Sequence, residues 1–240
     1  MRIAIFGDIH ANLEALEAIL EDASQQGVTD HVCMGDVVGY NADPAACLEI
    51  IQKLNCPTVK GNHDEEASGN HSLDSMNPVA ATALEWTRQQ LSDAQRVWLS
   101  RLRMVRQVSD FTIVHSTLDQ PSHWNYVTNR FDAMSNFSYQ FTQICFHGHT
   151  HVPRVYMKSD RVQEVPAESI VIEAGAKYFI NVGSVGQPRD GDWRACYAIY
   201  DIEHQQIVFR RIEYDIAKTQ RKIIAAGLPA MLAERIQEGR

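Results

Sequence analysis

What this 240-residue chain has little of narrows its chemistry first. It contains no Cys-x-x-Cys pair and an odd number of cysteines, five in all: Cys33, Cys47, Cys56, Cys145 and Cys196. That disfavours both a disulfide framework and a thiolate zinc knuckle. Cys33, Cys145 and Cys196 fall in apolar, strand-like runs and read as small buried hydrophobes. No apolar run approaches the roughly 20 residues that span a bilayer, so no membrane partner is expected. The strand pattern opens at Arg2, without the apolar core and small-residue cleavage site of a signal peptide, and a cytoplasmic location is the expectation. Positive charge is also scarce, 22 Lys and Arg against 30 Asp and Glu, for a net charge of −8. Such a balance argues against a protein that grips duplex nucleic acid by releasing counterions. Low-complexity linkers, heptads and internal repeats are absent. One domain over residues 1–240 is expected, with a helical extension at about 215–240.

What is present is an ordinary soluble composition, 45% apolar and 22% charged, and an abundance of histidine. Of ten histidines, His10, His63, His115, His149 and His151 lie in short polar motifs, each following an apolar run. Arg2 to Phe6 reads as a strand delivering Asp8-Ile9-His10. A helix comes next, capped by Asn12, with Leu13, Leu16, Ile19 and Leu20 on one face and Gly27 closing it. Val32 to Met34 is a strand ending at Gly35-Asp36, and Asp43-Pro44 opens a helix. Pro57 to Lys60 is a predicted third strand ending at Gly61-Asn62-His63-Asp64. Alternation of this kind predicts a parallel sheet with helices on its faces.

Asn77-Pro78 and Ser92 open two further helices. Val105 to His115 reads as two strands around Ser109-Asp110, the second ending at His115. An amphipathic stretch near Phe131 to Phe141 leads to Ile144-Cys145-Phe146 and then His147-Gly148-His149-Thr150-His151. An extended backbone there would point His149 and His151 the same way. Beyond it, Arg154–Met157, Arg161–Val165, Tyr178–Val182, Ala195–Asp201 and Ile207–Ile212 read as strands of a largely antiparallel second sheet. Asp215 caps a last helix to Gly227, with Pro229 and a polar tail after it.

In open α/β sheets ligands gather outside the carboxyl ends of strands, where Asp8, His10, Asp36, Asn62, His63, His115, His149 and His151 all fall. Carboxylate, imidazole and amide are donors for Mn, Fe, Zn, Co or Ni, and the lack of thiolate argues against structural zinc. With Asp36 shared, the donors suffice for two cations about 3.5–4 Å apart, the arrangement used on phosphate esters. Glycines before Asp8, Asp36, Asn62 and His149 suit sharp turns and close backbone approach.

The order Asp-x-His, Gly-Asp, Gly-Asn-His-Asp, lone His, Gly-His-x-His resembles the calcineurin-like metallophosphoesterase superfamily. Gly35-Asp36-Val37-Val38-Gly39-Tyr40 and the run from Asn181 to Arg189 are similar to its small bacterial and archaeal phosphodiesterase branch. The likeness covers roughly residues 1 to 212. It implies a four-layer α/β/β/α sandwich, two packed mixed sheets flanked by helices. It also implies two divalent transition-metal ions, Mn²⁺ first, with Fe, Ni, Zn or Co as alternatives. Asp8, His10, Asp36 and His151 would hold one, and Asp36, Asn62, His115 and His149 the other, with a bridging hydroxide as nucleophile. His63 would serve the leaving oxygen, its ring oriented by Asp64.

The Arg-Gly of phosphoprotein phosphatases is replaced here by Gly39-Tyr40, and their Glu by Asp64. Loss of that arginine favours a small phosphodiester, a nucleotide or a dinucleoside polyphosphate over a phosphoprotein or other monoester. Relatives on this fold that act only as protein scaffolds are the alternative class, and retention of His63 weighs against it. A nuclease would want a basic channel, of which the chain gives no sign. Arg189, His123 and Trp124 are candidate substrate contacts, by phosphate pairing and stacking, and His71 is a candidate for the pocket wall.

Overall fold

The computed structural model describes residues 1–70, 72–74 and 76–240; His71 therefore lies outside the described residues. In chain order the elements are β1 (Arg2–Phe6), α1 (Leu13–Gln25), β2 (Asp30–Cys33), α2 (Pro44–Leu54), α3 (Asn62–Ser68), α4 (Pro78–Gln90) and α5 (Asp93–Ser100). Next come β3 (Val105–Val108), β4 (Phe111–Val114), α6 (Arg130–Tyr139), β5 (Ile144–His147), β6 (Arg154–Lys158), β7 (Val162–Val165), β8 (Ser169–Val171) and β9 (Lys177–Asn181). The chain closes with β10 (Ala195–Asp201), β11 (Gln206–Ile212), α7 (Ile216–Ala225) and α8 (Ala230–Glu238). None of the described helices is long and apolar enough to cross a membrane.

Two mixed sheets carry the fold, in the strand orders β2-β1-β10-β11-β8 and β3-β4-β5-β9-β6-β7. Side chains alternate across a strand, and β1 shows why the sheets stack as they do. Ile3 and Ile5 face the second sheet, joining Ala198 and Tyr200 against Phe111, Ile113, Phe146 and Tyr178. Ala4 and Phe6 face outward, onto Leu16, Ile19, Leu48 and Ile51 of α1 and α2. Across the second sheet, Val114, Cys145, Tyr156 and Phe179 pack on Ala133 and Phe137 of α6. Two inner sheets between helices make the four-layer α/β/β/α arrangement.

Three sequence expectations need correction. The C-terminal strands do not form a sheet of their own: β10 pairs antiparallel with β1 (Ile3 opposite Tyr200), whereas β9 pairs parallel with β5. Hydrophobic alternation marks a strand but says nothing of which edge it joins. Pro57 to Lys60 is not a strand; Thr58 and Val59 make single bridges to Cys33 and Arg103. Pro57 has no N–H to donate and helix α3 begins at Asn62, so no ladder develops. The polar tail after Pro229 is helix α8, with Leu232, Ala233 and Ile236 buried against Ile223, Leu228 and Ala83.

A charge knot around buried Glu14 ties α7 to the N-terminal half. Lys222 Nζ lies 2.5 Å from Glu14 Oε1 and 2.8 Å from Asp43 Oδ2, and Lys218 Nζ lies 3.0 Å from Glu14. Asp43 thus serves Lys222 and does not cap α2 with its side chain.

Candidate metal centre

All but one of the chain's functional motifs leave the carboxyl ends of parallel strands. Asp8 and His10 follow β1, Asp36 follows β2, His115 follows β4, and His149 and His151 follow β5, while Asn62 opens α3. Apart from half-buried Asn62, all are buried. Asp8, His10, Asp36 and His151 bring one donor atom each within 4.8 Å of one another, as do Asp36, His115 and His149. Asp36 belongs to both groups. Its Oδ1 accepts the amide of His63 at 2.8 Å, and its Oδ2 lies 3.6 Å from His10 Nε2 and 3.3 Å from His115 Nε2.

Each of the four imidazoles is held by a main-chain carbonyl. His10 Nδ1 meets Val38 O at 3.1 Å, His115 Nδ1 meets Met34 O at 2.8 Å, His151 Nδ1 meets Gln187 O at 2.6 Å, and His149 Nε2 meets Trp124 O at 2.8 Å. A carbonyl only accepts, so the ring nitrogen facing it carries the proton. In the neutral ring the other nitrogen then turns a lone pair into the cluster. Such carbonyl support is how metal-binding histidines are oriented.

The donor set fits divalent cations on several counts. His115 Nε2 and Asn62 Oδ1 are buried and have no hydrogen-bond partner, a costly state unless an ion completes it. His10 Nε2 and His151 Nε2 face each other at 3.0 Å. Donors bonded to a cation at about 2.0–2.2 Å lie roughly 3.0–3.5 Å from one another, close to the spacings here.

Burial lifts Asp8 above the usual carboxylate range, with Asp36 adding to it against the pull of His115. Burial also opposes the Asp36 anion, yet His115 and His63 hold it well below that range. Burial alone would lower His115, but the Asp36 and Asp8 carboxylates raise it to about 10. Burial and His115 push His149 down to about 4. A buried cluster so divided is the environment that a cation reconciles.

Unusual backbone shapes the site. His149 and His151 are not extended but lie at φ +70° and +61°. Their side chains converge because Asn181 Nδ2 binds Gly148 O at 2.6 Å and Thr150 Oγ1 at 2.9 Å, folding the turn. Asp8, His10, Ala11, Asp36, Tyr40 and Trp124 also have positive φ, a strain typical of sites over-determined by their surroundings. Gly148 is required by contact: a Cβ there would meet Asp8 Oδ2 at 2.3 Å. The loop from Asn181 to Arg189 buttresses the floor, with Ser184 Oγ and Gly186 N both donating to Asp8 O, at 2.8 and 2.9 Å.

Asp64 does not orient His63. Its Oδ1 accepts the amides of Val37 (2.9 Å) and Val38 (3.4 Å), and its Oδ2 accepts that of Gly61 at 3.1 Å. Placed on the third residue of α3, the carboxylate reaches back to the helix start and across to the Asp36 loop, and so pins two ligand loops together. His63 instead packs on Tyr40 and His10, at ring separations of 4.5 and 4.7 Å, and its Nδ1 has no partner.

A cleft of about 150 Å³ opens over the cluster, lined among others by Asp36, Asn62, His63, His149, Tyr126 and Arg189. Arg189 forms no ion pair with its neighbour Asp190, which pairs with Arg211. Trp124 acts through its carbonyl on His149, with its indole edge-on to His115 at 6.0 Å. His123 is exposed and does not line the cleft. Tyr126, absent from the sequence candidates, stacks on His149 with ring centroids 4.3 Å apart. Its only sequence signal is its place two residues after Trp124. Tyr40, noted in the sequence only as part of its glycine motif, packs on both His10 and His63.

Residues 1–205 match the sequence model of the calcineurin-like phosphoesterase superfamily domain. The chain is 37% identical to an uncharacterized protein of Methanocaldococcus jannaschii, over 99% of this chain and 98% of that one. A metallophosphoesterase crystal structure from Sphaerobacter thermophilus superposes with a TM-score of 0.90 at 41% identity, covering 100% of this chain and 99% of the other. A hypothetical protein from Pyrococcus horikoshii shares the fold at a TM-score of 0.81 and 17% identity, over 100% and 98% of the two chains.

Proposed function

The chain belongs to the calcineurin-like phosphoesterase superfamily, and from that premise we propose that it is a metal-dependent hydrolase of a small phosphodiester or nucleotide. The observation that carries this reading is Asp36 Oδ2, set between the two donor groups. Asp8, His10, Asp36 and His151 would hold one divalent cation, and Asp36, Asn62, His115 and His149 the second. Mn²⁺ is the expected occupant, since nitrogen and oxygen donors without thiolate suit it, with Fe, Ni, Zn or Co as alternatives. Two such cations, when bound, polarise a phosphoryl group and acidify water.

The chain's own groups do the rest. His63, whose ring lines the cleft, protonates the leaving oxygen or stabilises its charge. Gly39 makes room for it, since a Cβ there would meet His63 Nδ1 at 2.4 Å. Arg189 offers its guanidinium to a non-bridging phosphate oxygen, and Tyr126 offers a ring on which an aromatic group of the substrate can stack. Asp64 keeps the Asp36 and Asn62 loops in register. A scaffold needs none of this: four imidazoles aimed by four carbonyls into a shared carboxylate support chemistry.

The test is hydrolysis of bis-p-nitrophenyl phosphate by purified protein with added Mn²⁺. Turnover that EDTA abolishes and Mn²⁺ restores is the expected result. A protein that binds Mn²⁺ yet turns over no phosphodiester, nucleotide or dinucleoside polyphosphate would refute the proposal.

A further inference from the structure

Gln187 is fully buried, two residues before Arg189, and it serves the site in two directions. Its main-chain oxygen accepts from His151 Nδ1 at 2.6 Å, one of the four carbonyls that aim the imidazoles. Its side-chain Oε1 accepts from Arg189 twice, from Nη2 at 2.9 Å and from Nε at 3.3 Å. The amide of Arg189 closes the figure by donating to His151 O at 3.2 Å. A donor of the metal cluster and a guanidinium of the cleft wall therefore share one residue as their support.

The orientation of that side chain has a cost. Gln187 Nε2 is buried and has no hydrogen-bond partner among the described residues, so it loses hydration without replacing it. Turning the amide over would set its NH₂ against the N–H groups of Arg189, donor to donor, so the arginine fixes which way it points. The surrounding loop is pinned as well. Gln187 N donates to Ser184 Oγ at 2.9 Å, and that hydroxyl donates to Asp8 O at 2.8 Å. An orphaned donor in so tight a loop calls for a reason, and what the arrangement secures is the aim of Arg189.

The brace is neutral, which decides what happens to the charge it holds. A guanidinium offers five N–H groups. Nε and Nη2 serve Gln187, Nη2 also approaches the Tyr40 hydroxyl at 3.5 Å, and Nη1 has no hydrogen bond among the described residues. Asp190, the nearest carboxylate in sequence, is taken by Arg211. A carboxylate in place of the Gln187 amide would hold the same nitrogens and cancel their charge. An amide holds them without cancelling it. The positive charge and Nη1 stay available to an anion in the cleft that Arg189 lines.

We propose that Gln187 is a positioning residue: its side-chain oxygen fixes the Arg189 guanidinium for a phosphate oxygen, in set relation to His151, and leaves the charge of Arg189 intact. This rests on the phosphate contact of Arg189 in the proposed function.

The test is calorimetric titration of the Mn²⁺-loaded protein with inorganic phosphate, which needs no turnover. Gln187→Met keeps the bulk and removes the acceptor. Phosphate affinity is expected to fall by about fivefold or more, with metal content unchanged because the main-chain carbonyl still serves His151. Gln187→Glu keeps the acceptor and adds a charge, and a fall of about tenfold or more is expected. In the double variant Gln187→Met/Arg189→Ala, the glutamine change should add less than about twofold to the loss from Arg189→Ala alone, since it acts through the arginine. Equal losses from Gln187→Met with and without Arg189 would overturn the inference and leave Gln187 a packing role. Undiminished affinity in Gln187→Glu would overturn it too, as would a wild type that binds no phosphate or binds it equally well without Arg189. Should Gln187→Met lose its metal or its fold, Gln187→Glu, close to the wild type in shape, decides alone. Phosphate binding that follows the expected pattern in a protein that hydrolyses no ester would refute the hydrolase reading and uphold the role of Gln187.

Discussion

His10 Nε2 and His151 Nε2 face each other at 3.0 Å, while the Nδ1 of each ring is bound to a carbonyl, that of Val38 and that of Gln187. With both protons on Nδ1, two lone pairs are directed at one another in a buried place. A cation held by both rings would turn that repulsion into ligation.

Metal removal should therefore cost stability as well as activity. A ligand at about 100 times its Kd stabilises by about 2.7 kcal/mol, and in a chain of this size each kcal/mol moves Tm by about 2–4 °C. Stripping with EDTA should lower Tm by several degrees, and Mn²⁺ should restore it. Scanning calorimetry decides this, and identical melting with and without metal would contradict the donor assignment.

Asp36 is the shared donor, and Asp36→Ala should empty both positions. Elemental analysis should show the metal content falling from two ions towards none. Activity should fall by more than the roughly 10–100-fold that loss of an outer partner costs. Retention of full occupancy would remove Asp36 from its bridging role.

His63→Ala should separate catalysis from binding. Metal content should hold while kcat falls by about 10²–10⁴-fold, the usual worth of a placed proton donor. The loss should shrink for p-nitrophenyl esters, whose leaving group needs no proton, and grow for alkyl esters. Uniform loss across leaving groups would assign His63 to charge stabilisation alone.

Gly39→Ala tests the seat of that ring. Its φ of +92° disfavours any side chain, and the new Cβ would press on His63 Nδ1. The backbone term is about 1–2 kcal/mol. Both a lower Tm and a lower kcat with metal retained are expected, and a fully active variant would show that His63 needs no fixed position.

The Glu14–Lys222 knot predicts an acid limb to stability. Burial favours the neutral acid, but Lys222 and Lys218 hold Glu14 below its ordinary value of 4.5. A carboxyl whose folded pKa is depressed gives its full stabilisation above the unfolded pKa and loses it as pH falls through the folded one. Glu14→Gln should lower Tm at pH 7, and the gap from wild type should narrow as pH falls below the ordinary carboxyl value towards the depressed folded one. A gap that persists unchanged at pH 3 would place the effect in packing.

Much of the site was legible because each motif has its own signature: an apolar run, a turn residue, then a donor. Asp8, His10, Asp36, His115, His149 and His151 could be placed at strand ends from that pattern, since the burial of an apolar run and the turn that ends it are local properties. Asp64 was legible as a residue but not as a role. Its carboxylate had three amides within reach, and only the packed loops show that it takes those and leaves the ring of His63 alone. Trp124 lends its carbonyl to His149, which no side-chain reading of a sequence can foresee.

Local chemistry thus determined which donors the chain carries, their order, and the strands that deliver them, because hydrophobic periodicity and turn preference act over a few residues. Only tertiary structure decided that β10 and β9 would join different sheets, and that His149 and His151 would converge through left-handed turns. Tertiary structure alone also brought Arg189 to Tyr40. Those outcomes depend on contacts between residues far apart in the chain, where the free energy of burial selects one partner among many that the local pattern permits.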